Sequence, residues 1–133
     1  MDESLYPNQL AVSHYAGSMV NFKDQPFLVA GRDTLIAETL VNLADGEPGW
    51  RATEKIPGLK QRSYLSAVAF QNQVWAFGGR DSRVDMADVY TYNGRWTHWP
   101  QKMSNGHRYG HRSIVDRNSI YHIGGHIGVT GTK

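Results

Sequence analysis

The sequence predicts an all-β protein that is built from repeated four-stranded sheets, and three observations support this prediction. First, four short runs in residues 62–99 have strand length and are rich in β-branched or aromatic side chains. These runs are residues 65–70, 74–77, 88–92 and 95–99. Second, Asn93-Gly94 joins the last two runs, and this dipeptide predicts a type I′ hairpin turn. Third, the pattern recurs along the chain.

The recurrence can be followed residue by residue at a spacing of 46 positions. Moving 46 residues along the chain matches the following pairs: Arg62 with Arg108, Val68 with Ile114, Asn72 with Asn118, Trp75 with Tyr121, Phe77 with Ile123, and Gly78-Gly79 with Gly124-Gly125. In the other direction, Trp96 matches Trp50, while Ala30-Gly31 lies 48 residues before Gly78-Gly79. A self-match at a period of about 40–50 residues indicates a repeat architecture.

The period, the double glycine after the second strand and the later tryptophan resemble the Kelch repeat. One copy carries the motif as Arg108-Tyr109-Gly110-His111 followed by residues 120–125, and the preceding copy supplies Tyr90, Trp96, Pro100 and Met103. The resemblance defines one partial Kelch-repeat domain over residues 1–133, with repeats at about 13–61, 62–107 and, truncated, 108–133. The first copy departs from the pattern because Ala30 replaces the first glycine.

Kelch repeats form β-propellers, so the resemblance implies a partial Kelch β-propeller. We expect two four-stranded antiparallel blades plus an incomplete third blade. The strands of the first blade are predicted at residues 17–21, 27–30, 39–43 and 50–53, after a lead-in over residues 1–13. The outermost sheets of such a slice expose apolar faces. We therefore expect these faces to be covered by the remaining blades of a longer chain or by self-association.

Composition excludes several classes of function. Of the 133 residues, 14 are basic and 12 are acidic, and a net charge of +2 is too weak to predict a nucleic-acid partner. Apolar runs stay well short of the roughly 18 residues that span a bilayer, so we expect no membrane partner. The chain contains no cysteine and no Asn-X-Ser/Thr acceptor, which favours a cytoplasmic location.

Catalytic and metal-binding patterns find little support in the sequence. Six histidines raise the question of a metal site, and four of them fall within residues 107–126. Asp116 is the only acidic residue in that segment, so we predict structural roles for these histidines and no metal site. The chain shows neither a nucleophile turn with a Ser/His/Asp order nor a phosphate-binding loop. We therefore predict no catalytic residues and no cofactor.

Arginines beside aromatic residues mark one edge of the predicted blades. Since the first strand of a blade runs antiparallel to the second, the loop before the first lies beside the loop after the second. The candidate binding residues in these loops are Arg62, Tyr64, Arg80, Arg83, Arg108, Tyr109 and His126. Guanidinium groups bind carboxylates in a bidentate manner, so this edge predicts a protein partner with an acidic motif. Alternatively, Arg62 and Arg108 recur because they brace the loops.

The resemblance implies a non-catalytic protein–protein interaction module. Many Kelch chains form the substrate-recognition part of a cullin-type ubiquitin ligase adaptor, which is one expectation for this chain. Two alternatives come from other classes of protein. Some Kelch propellers are carbohydrate enzymes such as sugar mutarotases, and others are actin-binding or cytoskeletal scaffolds.

Overall fold

All of the regular structure in the described part of the chain is β-strand. The computed structural model describes residues 17–31, 34–42, 48–53, 62–81, 84–103 and 108–127. The predicted lead-in over residues 1–13 lies outside these residues. The predicted all-β class is confirmed, and the segment 35–43, whose apolar residues also fit a helix, lies almost entirely in one strand.

Blade 1 is a four-stranded antiparallel sheet in which neighbouring strands are consecutive in the chain. Its strands are β1 (Ser18–Phe22), β2 (Gln25–Gly31), β3 (Thr34–Asn42) and β4 (Pro48–Ala52). Lys23 and Asp24 connect β1 to β2 with φ angles of 53° and 62°. Two positive φ angles in a two-residue loop fit a type I′ turn. The backbone between Val29 and Gly31 shifts register, and Ala30 there has a φ of 52°.

Blade 2 repeats this architecture and is the second complete sheet. Its strands are β5 (Ser66–Phe70), β6 (Gln73–Phe77), β9 (Val89–Tyr92) and β10 (Trp96–His98), in the order β10-β9-β6-β5. A two-stranded hairpin of β7 (Arg80–Asp81) and β8 (Val84–Asp85) lies in the connection from β6 to β9.

The third blade consists of two hydrogen-bonded strand pairs. The pair of β12 (Arg112–Asp116) with β13 (Ser119–Ile123) forms its hairpin, and the short β11 (Arg108–Tyr109) pairs with β14 (His126–Ile127). Ile114 pairs with Tyr121 in this hairpin as Val68 pairs with Trp75 in blade 2. The 46-residue spacing therefore preserves the register as well as the residue types.

The turn at Asn93-Gly94 differs from the prediction. Tyr92 pairs with Trp96, so three residues connect the strands and β10 begins one residue later than expected. Gly94 has a φ of 82°, Asn93 is not in the left-handed region, and the Asn93 N–H donates to the Arg95 carbonyl over 3.1 Å. The connection is therefore a three-residue hairpin loop with Gly94 as its left-handed residue.

Aromatic side chains fill the space between blades 1 and 2. This first core is formed by Phe22, Phe27, Val29, Ala30 and Ala37 of blade 1 with Leu65, Ala67, Val74, Ala76, Tyr90 and Trp96 of the next repeat. The Trp96 ring lies 6.3 Å from that of Phe27, and its indole N–H donates to Thr53 Oγ1 over 3.1 Å. The tryptophan that recurs in the sequence therefore packs between blades.

A second, smaller core lies between blades 2 and 3. Val68, Phe77, Ala87, Val89 and Met103 are its buried members, with Val115 and Ile120 of blade 3 packed against them. This interface also contains polar groups. Ser66 Oγ of blade 2 donates to Ser113 Oγ of blade 3 over 2.7 Å, and His122 of blade 3 meets the Phe77 ring at 4.4 Å.

Candidate functional site

The start of the first strand and the end of the second strand meet at one rim of the blades, as predicted. Ser63 and Arg80 exchange backbone hydrogen bonds of 2.9 and 2.7 Å across this rim. Two further bonds join blade 2 to the third repeat, because the Gly79 N–H donates to the Arg108 carbonyl and the Gly110 N–H donates to the Tyr64 carbonyl, each over 2.8 Å. The rim is therefore a continuous hydrogen-bonded edge that is shared by two repeats.

The double glycine of blade 2 makes room for this edge. Gly78 and Gly79 have φ angles of 63° and 95°, in the left-handed region that favours glycine. A Cβ on Gly79 would lie 2.8 Å from Cδ of Arg62, and one on Gly78 would lie 2.5 Å from the Arg108 carbonyl oxygen. The glycines thus allow the Arg62 side chain and the next repeat to approach the backbone closely.

Arg62 is buried beneath the rim, with 2% of the residue exposed. Its Nη1 donates to the Gly78 carbonyl over 2.9 Å, and its Nη2 lies 3.3 Å from Oδ2 of Asp88. The guanidinium carbon also lies 5.9 Å from the centre of the Tyr90 ring. Arg62 therefore connects the double glycine to Asp88, the residue that precedes β9.

Asp88 is the buried carboxylate at the centre of this arrangement. Lys102 Nζ donates to its Oδ1 over 3.0 Å, while Arg62 contacts its Oδ2. Burial works to raise the pKa of Asp88, but the hydrogen bond and charge of Lys102 and the charge of Arg62 outweigh it and hold that pKa below its usual value. Burial raises the pKa of the neighbouring Tyr90 hydroxyl. Sequence reasoning missed the pairing of Arg62 with Asp88, because 26 residues separate the two.

Arg108 makes the same backbone contact in the third repeat. It is also buried, and its Nη1 donates to the Gly124 carbonyl over 2.9 Å. Both bonds span 16 residues, from the arginine to the first glycine of its own pair. The geometry thus matches the bracing alternative for Arg62 and Arg108, since both guanidinium groups lie below the surface of the rim.

Four other predicted residues come together at the rim, and we call Tyr64, Arg80, Tyr109 and His126 the rim cluster. Tyr64 and His126 are exposed, whereas Arg80 and Tyr109 are half-buried. The Arg80 guanidinium lies 5.2 Å from the centre of the Tyr109 ring. The Tyr109 ring in turn lies 6.1 Å from that of Tyr64 and 5.0 Å from that of His126. Tyr64 is 45% exposed, and its φ of 59° is unusual for a tyrosine. Arg83 lies outside the described residues.

This cluster has the chemistry of a recognition surface. A guanidinium over an aromatic ring gains cation–π attraction, and the planar fork of a guanidinium matches the geometry of a carboxylate. The exposed Tyr64 and the half-buried Tyr109 offer apolar area and a hydroxyl with few rotatable bonds. The cluster is attached to rigid strand ends, where loops commonly carry binding residues. The cluster therefore combines a cationic group with aromatic surface.

Two histidines lie behind the cluster, at the interface between blades 2 and 3. The His111 and His122 rings are 5.2 Å apart, and Ser113 Oγ lies 2.7 Å from His122 Nδ1. Burial, with smaller effects from His122 and Arg108, lowers the pKa of His111 to about 4. Burial and then Arg108 also lower the pKa of His122. Because His122 packs against Phe77 inside the interface, this serine–histidine pair joins the blades.

Two further findings concern the described residues only. Their His, Asp and Glu side chains form no group of three or more that could hold a metal ion. None of these residues belongs to a helix long and apolar enough to cross a membrane.

Comparisons with known proteins agree with this architecture. A family model described as the Kelch motif matches residues 61–98. The solved structure of YjhT, a Kelch propeller, superposes with a TM-score of 0.76 at 21% sequence identity. The match covers 88% of this chain and 35% of that one, so this chain spans about a third of the length of the YjhT chain. None of the curated proteins matches the sequence.

Proposed function

Because the chain carries a Kelch motif and has the fold of a partial Kelch-type β-propeller, we propose that it is a non-catalytic protein-interaction module. Kelch repeats generally mediate contacts between proteins, which supports the general class. The finer proposal concerns the binding surface and the partner. The rim cluster is the surface, and the partner is a protein segment with an acidic motif.

The observation that carries the finer proposal is the division of the predicted residues into two groups. Arg62 and Arg108 lie below the surface and donate to backbone carbonyls. Arg80 lies instead over the half-buried Tyr109, beside the exposed Tyr64 and His126. A carboxylate of the partner binds the Arg80 guanidinium, and an adjacent apolar side chain packs on the two tyrosines.

An anisotropy titration with labelled peptides tests this proposal. The probes are short peptides that contain two or three Glu or Asp residues beside a Leu or Phe, each compared with a version that has Gln or Asn in place of the acids. We expect the acidic peptides to bind more tightly than their amide versions. Arg80→Glu should weaken that binding at least tenfold, and Tyr109→Leu should weaken it by a smaller factor, because Leu keeps some apolar contact.

The matched control is Arg95→Glu. Arg95 is an exposed arginine in the turn between β9 and β10, at the end of blade 2 that is opposite the rim. Arg95→Glu changes the charge by the same amount as Arg80→Glu, so a long-range charge effect would weaken peptide binding equally in both variants. Equal loss in the two variants, or equal affinity for acidic and amide peptides, would reject the rim cluster as an acidic-motif site.

The adaptor role requires a cullin-recruiting domain on the same protein or on a stable partner. Its support is the family resemblance alone. Co-purification of the natural gene product with a cullin would favour the role, and a gene product that contains no cullin-recruiting domain and does not co-purify with a cullin would argue against it.

A further inference from the structure

The rim cluster is assembled from two blades. Arg80 and Tyr64 belong to the repeat of blade 2, whereas Tyr109 and His126 belong to blade 3. The contact of 5.2 Å between Arg80 and the Tyr109 ring and the contact of 6.1 Å between the two tyrosine rings both cross from one blade to the other. The cluster therefore keeps its shape only while the interface between blades 2 and 3 stays closed.

Backbone hydrogen bonds close this interface beside the cluster. The Gly79 N–H of blade 2 donates to the Arg108 carbonyl over 2.8 Å, and the Arg108 N–H donates back to the Met86 carbonyl over 3.0 Å. Gly79 and Arg108 are both buried, so water does not reach these bonds while the interface is closed. Their amide protons therefore report on its opening.

His111 is the buried histidine of the same interface. It is 4% exposed, and neither of its ring nitrogens has a hydrogen-bond partner among the residues that the structure describes. Its ring lies against blade 2, since a Cβ on Gly78 would come within 3.3 Å of Cε1 of His111. An imidazolium carries two N–H donors, and a buried charge without hydrogen bonds or an opposite charge is unstable. The closed interface therefore suits neutral His111 and disfavours its charged form.

The charged groups around His111 act in the same direction. The His122 ring lies 5.2 Å away, and His122 and the buried Arg108 both oppose a positive charge on His111. On the side of blade 2, Arg62 is a further cation, and it holds the Asp88 carboxylate in an ion pair. Burial, followed by His122 and Arg108, lowers the pKa of His111 to about 4. Opening the interface to water removes most of this penalty on the charged ring.

We propose that protonation of His111 opens the interface between blades 2 and 3, so that mild acid and a bound partner act on this interface in opposite directions. The partner spans the rim cluster and therefore binds the closed interface alone. By linkage, acid then weakens the binding of the partner by the same factor by which the partner resists the opening. The opening is argued from the interface itself, whereas its coupling to a partner rests on the proposed function.

Amide hydrogen exchange on the 133-residue chain tests the opening. The reporters are the amides of Gly79 and Arg108, and the controls are those of Gly78 and Thr53, whose hydrogen bonds lie within blade 2 and within blade 1. We expect the reporters to be less protected than the controls, because the interface opens without unfolding of the other blades. Equal protection of reporters and controls would overturn the proposal, since the interface would then open only when the whole chain unfolds.

The acid response of the reporters tests the role of the histidine. His111 has a pKa of about 4 in the closed interface and about 6.5 in water, so opening should become about tenfold more frequent for each pH unit in this range. After correction for the intrinsic exchange rate, protection of the reporters should fall at least about tenfold between about pH 7.5 and pH 5. Protection that does not fall in the unaltered chain would overturn the proposal, whatever the variants do.

The variant His111→Phe keeps a ring of similar size that cannot titrate. It should remove most of the acid response, with a remainder from His122, whose pKa is lowered by burial and by Arg108. The matched control is His98→Phe, at an exposed histidine of β10, and it should keep the full response. An unchanged acid response in folded His111→Phe would overturn the assignment to this histidine.

The same reporters test the coupling to a partner. The probe is the acidic peptide that binds the unaltered chain most tightly in the anisotropy titration. At about 100 times its dissociation constant, the peptide should raise the protection of the Gly79 and Arg108 amides at about pH 5 by up to about a hundredfold. A peptide that binds and leaves these amides unchanged would overturn the coupling. If no acidic peptide binds, the proposed function and the coupling fail together, and the exchange data without peptide still decide the opening.

Discussion

Arg62 and Arg108 occupy equivalent positions in successive repeats, yet their surroundings differ in charge. Each donates over 2.9 Å to the carbonyl of the first glycine in its own repeat. Arg62 also meets the buried carboxylate of Asp88 at 3.3 Å. Arg108 instead lies near the buried His111 and the half-buried His122, and its charge helps to lower the pKa of both. The contact that recurs is thus the hydrogen bond from the arginine to a glycine carbonyl, which we call the brace. The charged neighbours of the arginine differ between the two repeats.

A recurring arginine should therefore be interpreted by the direction of its side chain. A residue that recurs in every repeat at the same rim suggests a shared role, and both ligand binding and bracing satisfy that description. In the structure, Arg62 and Arg108 are buried and donate to glycine carbonyls, which matches bracing. Arg80 and His126, which are equivalent positions with different side chains, both lie against the Tyr109 ring. The positions that vary between repeats therefore supply the candidate binding groups.

The largest expected difference comes from the same substitution at the two braces. Arg62→Met removes one of the two cationic partners of the buried Asp88 and leaves Lys102 in place, so we expect a loss of about 3 kcal/mol of unfolding free energy, the lower end of the range for breaking a buried ion pair. Arg108→Met removes a hydrogen bond to the carbonyl of the exposed Gly124, which water can replace, so we expect a loss of about 1 kcal/mol. Urea titration of both variants measures the difference. Equal losses would show that the Asp88 contact adds nothing to the brace.

The next largest difference is expected in mild acid, which should lower the free energy of unfolding through the third repeat. The pKa of His111 is about 4 in the folded chain, against about 6.5 when unfolded, so the unfolded state binds a proton first as the pH falls. Neutral His111 makes its full contribution to the free energy of unfolding above about pH 6.5, and this contribution is lost progressively as the pH falls to about 4. The full loss is on the order of 3 kcal/mol at about 1.4 kcal/mol per pKa unit.

The carboxylate of Asp88 stays charged over the same window, because its pKa lies below its usual value of 3.8. The acid effect should therefore arise in the third repeat. Thermal melts between about pH 7 and pH 4.5 measure it, with His111→Phe as the variant that removes the titrating ring. The slope of melting temperature against pH should become smaller in this variant but not vanish, since the pKa of His122 is lowered as well. An unchanged slope would place the effect elsewhere.

The first glycine of each pair gives a smaller contrast. A Cβ on Gly78 would meet the Arg108 carbonyl oxygen at 2.5 Å, whereas one on Gly124 would meet nothing within 4 Å. Both positions have positive φ, so alanine costs about 1–2 kcal/mol of backbone strain at either. The clash at Gly78 adds about 1–3 kcal/mol. Denaturant midpoints of Gly78→Ala and Gly124→Ala should differ accordingly, and identical midpoints would mean that the edge between repeats relaxes freely.

Much of the fold could be predicted because the residues that recur in each repeat are of types that favour few backbone conformations or positions. Paired glycines mark a backbone that other residues seldom adopt, although Ala30 does so in blade 1 with a φ of 52°. Alternating apolar residues fix which side of a strand faces the core. The rim also followed from strand direction alone. Its members Tyr64, Arg80, Tyr109 and His126 were therefore identified from the sequence.

The direction of long side chains could not be predicted in the same way. An arginine at the rim reaches outward or inward according to a few backbone angles, and Arg62 turns inward because Gly79 leaves space beside its stem. Its partner Asp88 lies in another part of the blade, and sequence distance carries no information on such a pair. The loop at Asn93-Gly94 was assigned the wrong hairpin type for a related reason, since loop length depends on the register of the strands that it joins.

The division between braces and binding residues is tested most directly by measuring melting point and peptide affinity on the same samples of Arg62→Met and Arg80→Met. The probe is the acidic peptide that binds the unaltered chain most tightly. We predict that Arg62→Met lowers the melting point but keeps its affinity per folded molecule, whereas Arg80→Met keeps the melting point and loses at least tenfold in affinity. The reverse pattern, with affinity lost at Arg62 and stability lost at Arg80, would contradict this account.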